Sequence, residues 1–230
     1  MRSQRIITHE NPKSPIAEAF RTLRTNIQFS SIDKALSSIV ITSSGPGEGK
    51  STVSVNTAMT IAQSGKKVLL VDCDLRKPKI HTFFRIHNGQ GLTNILAEGI
   101  DLKEVVYEPE IENNLHILTA GPIPPNPSEL LGSKRMKAFL KEAETNYHTI
   151  ILDSPPVGVV TDAAVLSTIA DGTILVCAVG QAEIEASKMA KSLLEKVNAN
   201  ILGVVLNKVP VDKSGYYRYN YYNYYSYYEE

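Results

Sequence analysis

Short apolar runs of four to eight residues recur along the chain and alternate with longer segments in which apolar residues follow helical spacing. This alternation is typical of βαβ units, in which helices cover both faces of a parallel sheet. We therefore predict an α/β fold with a doubly wound, mostly parallel sheet. The predicted strands are 38–42, 67–71, 115–119, 149–152, 173–178 and 201–206, and the predicted helices are 15–29, 50–63, 92–98, 127–131, 133–145, 161–168 and 183–197.

The pattern divides the chain into three parts. Residues 1–36 form an N-terminal segment with one helix, for which Ser14 is a suitable cap and Pro15 a suitable first residue. Residues 37–209 form the α/β domain. Residues 210–230 begin in a turn-rich linker and show no regular apolar face, so we predict a flexible, tyrosine-rich tail.

Composition narrows the possible functions only slightly. The 230 residues, 43% of them hydrophobic, are enough for one α/β domain with a buried core. The 24 basic and 24 acidic residues balance, which argues against a nucleic-acid partner. Cys73 and Cys177 lie in apolar runs and are more typical of packed thiols than of a disulfide. With no signal sequence and no run of about 20 apolar residues, we expect a cytoplasmic protein that reaches the membrane through a partner.

A glycine-rich segment between the first predicted strand and the next helix carries the strongest chemical signal. Strand, glycine loop and helix follow in the order of a P-loop, whose backbone N–H groups bind phosphate. Lys50 is expected to bridge the β- and γ-phosphates, and the Ser51 hydroxyl to bind Mg²⁺. The strict pattern begins with glycine, where this chain has Ser44, so a simple glycine-rich turn is the alternative. The predicted nucleotide-binding residues here are Gly45, Pro46, Gly47, Glu48, Gly49, Lys50, Ser51 and Thr52.

Carboxylates follow two other buried strands. Asp72 and Asp74 end one apolar run, and Asp153 ends another. Because ligands bind at the carboxyl ends of parallel strands, we expect all three near the glycine loop. Asp153 has the position of a Walker B residue for Mg²⁺. A single aspartate at a strand end is more often a turn residue or helix cap, but three beside a P-loop favour a metal site.

Together these motifs resemble the bacterial tyrosine kinases of capsule and exopolysaccharide synthesis, in their stand-alone cytoplasmic form. The resemblance covers nearly the whole chain and depends on segments 46–52, 71–78, 120–131 and 152–156 and on the C-terminal tyrosines. It implies a P-loop NTPase fold of the deviant-Walker, partition-ATPase-like superfamily, with ATP and Mg²⁺ as cofactors.

The resemblance also assigns individual roles. Asp72 is expected to accept the tyrosine proton and Asp74 to support Mg²⁺. Arg76 is expected to be a cation for the transferring phosphoryl group or a loop contact, and an ordinary surface arginine after a strand is the alternative. Asn207 matches the base-contacting asparagine of the superfamily, but a turn residue is the alternative. The extra lysine of partition and division-site ATPases is absent, since Gly45 stands at its position.

Nine of the eleven tyrosines lie in the tail. A stacking platform for nucleic acid needs interleaved basic residues, of which the cluster has only Arg218, and a low-complexity adhesive tail is the other alternative. We favour a kinase substrate presented to neighbouring copies, because tethering in an assembly gives a high effective concentration. The predicted phosphorylation sites are Tyr216, Tyr217, Tyr219, Tyr221, Tyr222, Tyr224, Tyr225, Tyr227 and Tyr228.

The N-terminal helix carries Glu18, Arg21 and Arg24 along one stripe. An exposed salt-bridged face is the ordinary interpretation. In the resembled family this spacing joins subunits into a ring, so we expect a homo-oligomer. The resemblance also implies a membrane adaptor of the polysaccharide co-polymerase type and a cognate phosphotyrosine phosphatase. A nucleotide-switch ATPase without kinase activity, or a nucleotide-binding scaffold, remains the alternative function.

Overall fold

A computed structural model describes residues 5–30 and 36–210, and the tyrosine tail predicted to be flexible lies outside these residues. The described chain contains one six-stranded sheet in the order β3-β2-β4-β1-β5-β6, and every neighbouring pair is parallel. The predicted doubly wound parallel sheet is therefore confirmed. Its strands are β1 (Ser38–Ser43), β2 (Val68–Asp72), β3 (Leu115–Leu118), β4 (Thr149–Asp153), β5 (Gly172–Ala178) and β6 (Ile201–Asn207).

The helices on both faces agree with the longer periodic segments. Each predicted helix is present within about two residues of its expected ends, and three short helices were not predicted. The helices are α1 (Ile7–Glu10), α2 (Pro15–Phe29), α3 (Lys50–Ala62), α4 (Ile80–Phe84), α5 (Leu92–Glu98), α6 (Leu102–Val105), α7 (Pro127–Leu131), α8 (Lys134–Asn146), α9 (Asp162–Ser167) and α10 (Ile184–Lys196). The unpredicted ones are α1, α4 and α6.

Strands β1 to β5 are buried on both faces, as parallel strands covered by helices require, whereas the edge strand β6 is partly exposed. Along β1, Ile39 and Ile41 face the core shared with α2 and α3, while Val40 faces the core shared with α5 and α8. Each side chain of β1 is buried. The sheet therefore positions its carboxyl ends rigidly, because neither face can shift without exposing apolar surface.

The N-terminal helix α2 packs onto this core. Its first turn is capped by Ser14, whose hydroxyl accepts from the Ala17 N–H at 3.1 Å. Phe20 and Ile27 are buried in the same apolar cluster as Met59 of α3. None of the helices in residues 5–30 and 36–210 is both long and apolar enough to cross a bilayer.

Candidate nucleotide and phosphoryl-transfer site

The predicted site residues meet at one edge of the sheet. In the strand register, Ile41 of β1 and Asp72 of β2 both lie beside Asp153 of β4. The chain leaves β1 into the loop 44–49 and enters α3 at Lys50. The loop, the two carboxyl-bearing strand ends and the N-terminus of α3 are therefore neighbours, as the sequence predicts.

The loop needs glycine at two positions. Gly47 and Gly49 have positive φ angles of 77° and 92°, a region that side chains strongly disfavour. A Cβ on Gly49 would also lie 2.1 Å from the Asn207 side-chain nitrogen. Gly49 caps α3, and Lys50, Ser51 and Thr52 form its first turn, so the helix N-terminus faces the site.

Glu48 turns its side chain into the loop itself. One carboxylate oxygen accepts from the Ser44 hydroxyl and the Gly45 N–H, each at 2.5 Å, and the other accepts from the Ala178 N–H at 3.2 Å. The residue is only 3% exposed. Ser44, at the place of the first glycine in the strict pattern, thus contributes a hydroxyl to this packing, and Glu48 can offer a ligand its N–H rather than its carboxylate.

Lys50 reaches across the site to Asp74, with Nζ 3.0 Å from the carboxylate. Burial disfavours the charged ammonium, but Asp153 and Asp74 outweigh burial and raise the pKa of Lys50 above its usual value. The lysine therefore carries a positive charge at neutral pH, beside the loop that is expected to bind phosphate.

Asp72 is fully buried beneath this surface. Its carboxylate accepts from the N–H groups of Lys79 and Ile80 at 2.9 Å and of Asp74 at 3.2 Å. Burial, reinforced by Asp153, raises the pKa of Asp72 to about 8. The side chain thus fixes the turn that carries Asp74, and it holds a proton more readily than an exposed aspartate.

The two carboxylate oxygens of Asp153 differ in their surroundings. Its Oδ1 accepts from the Ser54 hydroxyl at 2.9 Å, whereas its buried Oδ2 has no hydrogen-bond partner among the described residues. Burial raises the pKa of Asp153, opposed by Lys50. A carboxylate oxygen that is close to Ser51 and Asp74 and is not hydrogen-bonded by the described residues is a suitable ligand for Mg²⁺. Within residues 5–30 and 36–210 no cluster of three acidic, histidine or cysteine side chains forms a cage, which is compatible with Mg²⁺ held mainly by phosphates and water.

Arg76 forms an ion pair with a residue that the sequence analysis did not single out. Its guanidinium donates to both oxygens of Asp162, at 2.9 and 3.0 Å, and to the Ser128 hydroxyl at 3.0 Å. Asp162 is completely buried at the start of α9, and Ser128 lies in α7. In this structure the Arg76 guanidinium thus contacts α7 and α9, and its role toward the transferring phosphoryl group stays a prediction.

Comparisons with known proteins identify the family. A family model described as an AAA domain matches residues 36–203. The chain is 45% identical to the tyrosine-protein kinase YwqD of Bacillus subtilis over 93% of this chain and 90% of that protein. It is 41% identical to the putative tyrosine-protein kinase CapB of Staphylococcus aureus, over 94% of both chains. The chain belongs to the bacterial tyrosine-kinase family.

A solved structure agrees with this family assignment. The crystal structure of the chimerical protein CapA2B2 superimposes with a TM-score of 0.85 at 44% identity and covers 89% of this chain and 90% of that one. The resemblance read from the motifs is therefore confirmed at the level of sequence and fold.

Two further features that the family resemblance singled out have defined surroundings. The Asn207 side chain donates to Glu48 O at 2.8 Å, and none of the described residues donates to its Oδ1. On α2, Glu18 forms an ion pair with Arg21, while Arg24 donates to Thr60 O of α3 at 3.1 Å. Asn207 therefore lies at the phosphate loop, and the three charges of α2 lie on another part of the molecule.

Proposed function

We propose that this chain is an ATP- and Mg²⁺-dependent protein-tyrosine kinase that phosphorylates the tyrosine cluster at 216–228 of a neighbouring copy. The observation that supports this most strongly is the grouping of Lys50, Asp74 and Asp153 beside a P-loop. Membership of the chain in the bacterial tyrosine-kinase family supports phosphoryl transfer to tyrosine as the reaction class. The nine tail tyrosines supply an acceptor in the same polypeptide.

The phosphates of ATP lie on the loop and the N-terminus of α3. Free N–H groups of the loop bind the β-phosphate, and Lys50 exchanges its contact with Asp74 for the β- and γ-phosphates. Asn207 accepts a hydrogen bond from the base amino group through Oδ1, because its amide nitrogen is already committed to Glu48 O. Each of these contacts uses a group that the described chain leaves available or can release.

Ser51, Asp74 and Oδ2 of Asp153, which has no hydrogen-bond partner among the described residues, would hold Mg²⁺ directly or through water. A metal ion held there would neutralise charge on the phosphates. The Asp153 carboxylate is fixed before ligands arrive, because it is buried at the sheet edge. The chain thereby supplies positioning and electrostatic stabilisation, which dominate phosphoryl transfer.

In the transfer step, the phenolic oxygen bonds to the γ-phosphorus as the bond to the bridging oxygen of ADP breaks. Phenol has a pKa near about 10, so its proton leaves only as the new bond develops. Asp72 in its ionised form accepts that proton. A carboxylate has about four acceptor positions, and backbone N–H groups take three of those on Asp72, which leaves one on Oδ1.

The acceptor tail comes from a neighbour in a ring-like homo-oligomer, in which Glu18, Arg21 and Arg24 form part of the contact. Each phosphotyrosine adds about −1.5 to −2 charges, so a phosphorylated tail is repelled from the acidic site and from other tails. We expect phosphorylation to loosen the ring. Oligomer mass measured with and without ATP and Mg²⁺ tests this, and an unchanged ring with heavily phosphorylated tails would contradict it.

The biological setting is the synthesis and export of capsular or exopolysaccharide from the cytoplasmic side of the membrane. A membrane adaptor recruits and activates the kinase, and a cognate phosphatase resets it. This part of the proposal follows from family membership alone.

Incubation of the purified chain with γ-labelled ATP and Mg²⁺, followed by peptide mapping, tests the activity. We expect label on tyrosines of 216–228 in the wild type, none in Lys50→Met, and full labelling in the exposed-site control Lys141→Met. Phosphate released without labelled protein would instead favour a nucleotide-switch ATPase, and neither product would favour a scaffold.

A further inference from the structure

Three consecutive carbonyl groups of the phosphate loop accept hydrogen bonds from side chains outside the loop. The donors come from the turn after β5 and from the end of β6. The pairs are Pro46 O with Gln181 Nε2 (3.0 Å), Gly47 O with Lys208 Nζ (2.7 Å) and Glu48 O with Asn207 Nδ2 (2.8 Å). The outer side of the loop is therefore held along its whole glycine-rich stretch.

These contacts fix the direction of the loop N–H groups. The described residues contain no cis peptide, and in a trans peptide the C=O and N–H bonds point in opposite directions. The N–H groups of Gly47, Glu48 and Gly49 therefore point away from the three donors. None of these N–H groups has an acceptor among the described residues. Successive unpaired N–H groups form a concave anion site.

Gln181 and Lys208 also constrain each other. The lysine ammonium lies 2.7 Å from Gln181 Oε1, which leaves the glutamine nitrogen directed at the loop. Lys208 has a φ of 55°, in the left-handed region that lysine rarely adopts. An unfavourable backbone conformation kept at such a position is typical of a residue with a functional constraint.

We propose that Gln181 and Lys208 are positioning residues that hold the phosphate loop in its anion-binding conformation before nucleotide arrives. This inference rests on the proposed nucleotide site, but it assigns a role to two residues outside the P-loop motif. Neither side chain needs to contact the nucleotide. Both act on it through the orientation of loop peptides, and Asn207 contributes to the same contact while also facing the base.

The test compares Gln181→Met and Lys208→Met with a control, Lys188→Met. Lys188 is an exposed lysine of α10 whose ammonium forms an ion pair with Glu185. The dissociation constant of Mg²⁺–ADP is measured by calorimetry. We expect Gln181→Met and Lys208→Met each to bind Mg²⁺–ADP about three- to tenfold more weakly than the wild type. This loss of affinity corresponds to the free energy of one such hydrogen bond. The double variant should bind little more weakly than either single variant, because the two side chains share one arrangement. Lys188→Met should bind like the wild type.

Two further readouts distinguish loop positioning from a direct attraction between the Lys208 charge and phosphate. Such an attraction would be screened by salt, so the effect of Lys208→Met should persist at about 0.5 M salt if the loop is positioned. In kinase assays KM for ATP should rise while kcat at saturation stays within about twofold. Unchanged ADP affinity in Gln181→Met, or an effect of Lys208→Met that disappears in salt, would overturn the inference. Wild-type protein that fails to bind ADP would instead refute the proposed nucleotide site.

Discussion

Removal of the Arg76–Asp162 ion pair should reveal how the turn after β2 is held. Arg76 follows the two carboxylates of that turn, and Asp162 is fully buried beneath it. The perturbation is a double-mutant cycle of Arg76→Ala, Asp162→Ala and the combined variant. The cycle shows whether Arg76 acts through the buried Asp162 or independently of it.

The geometry of the ion pair determines how large a coupling free energy we expect. The guanidinium donates two nearly equal hydrogen bonds to one carboxylate, a bidentate geometry that is among the stronger ionic contacts. The Arg76 side chain is 40% exposed, so solvent screening reduces the value below that of a fully buried pair. We expect a coupling free energy of about 1–3 kcal/mol. Arg76→Ala should also destabilise more than Asp162→Ala, because it leaves a buried carboxylate with fewer donors.

Urea unfolding of the four proteins at pH 7 gives the coupling free energy. A value below about 0.5 kcal/mol would show that the pair does not hold the turn. Kinase activity of the same proteins gives a second result. If Arg76 acts only through Asp162, adding Arg76→Ala to Asp162→Ala should leave the activity unchanged; a further loss of about tenfold or more would show that Arg76 also contacts the phosphoryl group.

Two other outcomes follow from the site. Gly49→Ala should weaken Mg²⁺–ADP binding by at least about tenfold, because the new Cβ meets Asn207 and φ is positive. Gly65→Ala is the matched control, since its φ of 83° is similarly strained but nothing lies within 4 Å of the new atom; equal binding losses in both variants would contradict a steric cause. The second outcome concerns pH. Burial raises the pKa of Asp72 to about 8, whereas an unfolded aspartate loses its proton near about 4. The folded chain therefore binds more protons between these values, and the free energy of unfolding should fall as pH rises from about 5 to about 8. Asp72→Asn should reduce that slope in urea titrations at several pH values, and identical slopes would show that Asp72 ionises normally.

The main features of the fold could be predicted from the sequence because most strands are built on short apolar runs. Such runs are typical of strands in a parallel sheet covered by helices on both faces, as β1 to β5 are, whereas the edge strand β6 is partly exposed. The short helices α1 and α6 have four residues each, too few to show periodicity. For α4 the cause lies elsewhere in the chain, since the Asp72 carboxylate accepts from the N–H groups of Lys79 and Ile80 at its start.

The candidate site, like the fold, could be predicted from the sequence only in part. Motifs at strand ends predicted that Asp72 and Asp153 would lie together, and the register places them side by side. Contacts between residues far apart in the sequence could not be predicted from any motif. Arg76 and Asp162 are 86 positions apart, and Gly47 and Lys208 are 161 apart. A single sequence offers no physical reason to pair them before the fold brings them together.

The most direct test of tail phosphorylation between copies is a mixing experiment with two complementary variants. One carries Lys50→Met and an intact tail, and the other has a functional site but all nine tail tyrosines replaced by phenylalanine. Neither variant should acquire label from γ-labelled ATP alone. After mixing, label should appear on tail tyrosines of the Lys50→Met chain. A wild-type protein that labels its tail, together with a mixture that remains unlabelled, would contradict transfer between copies.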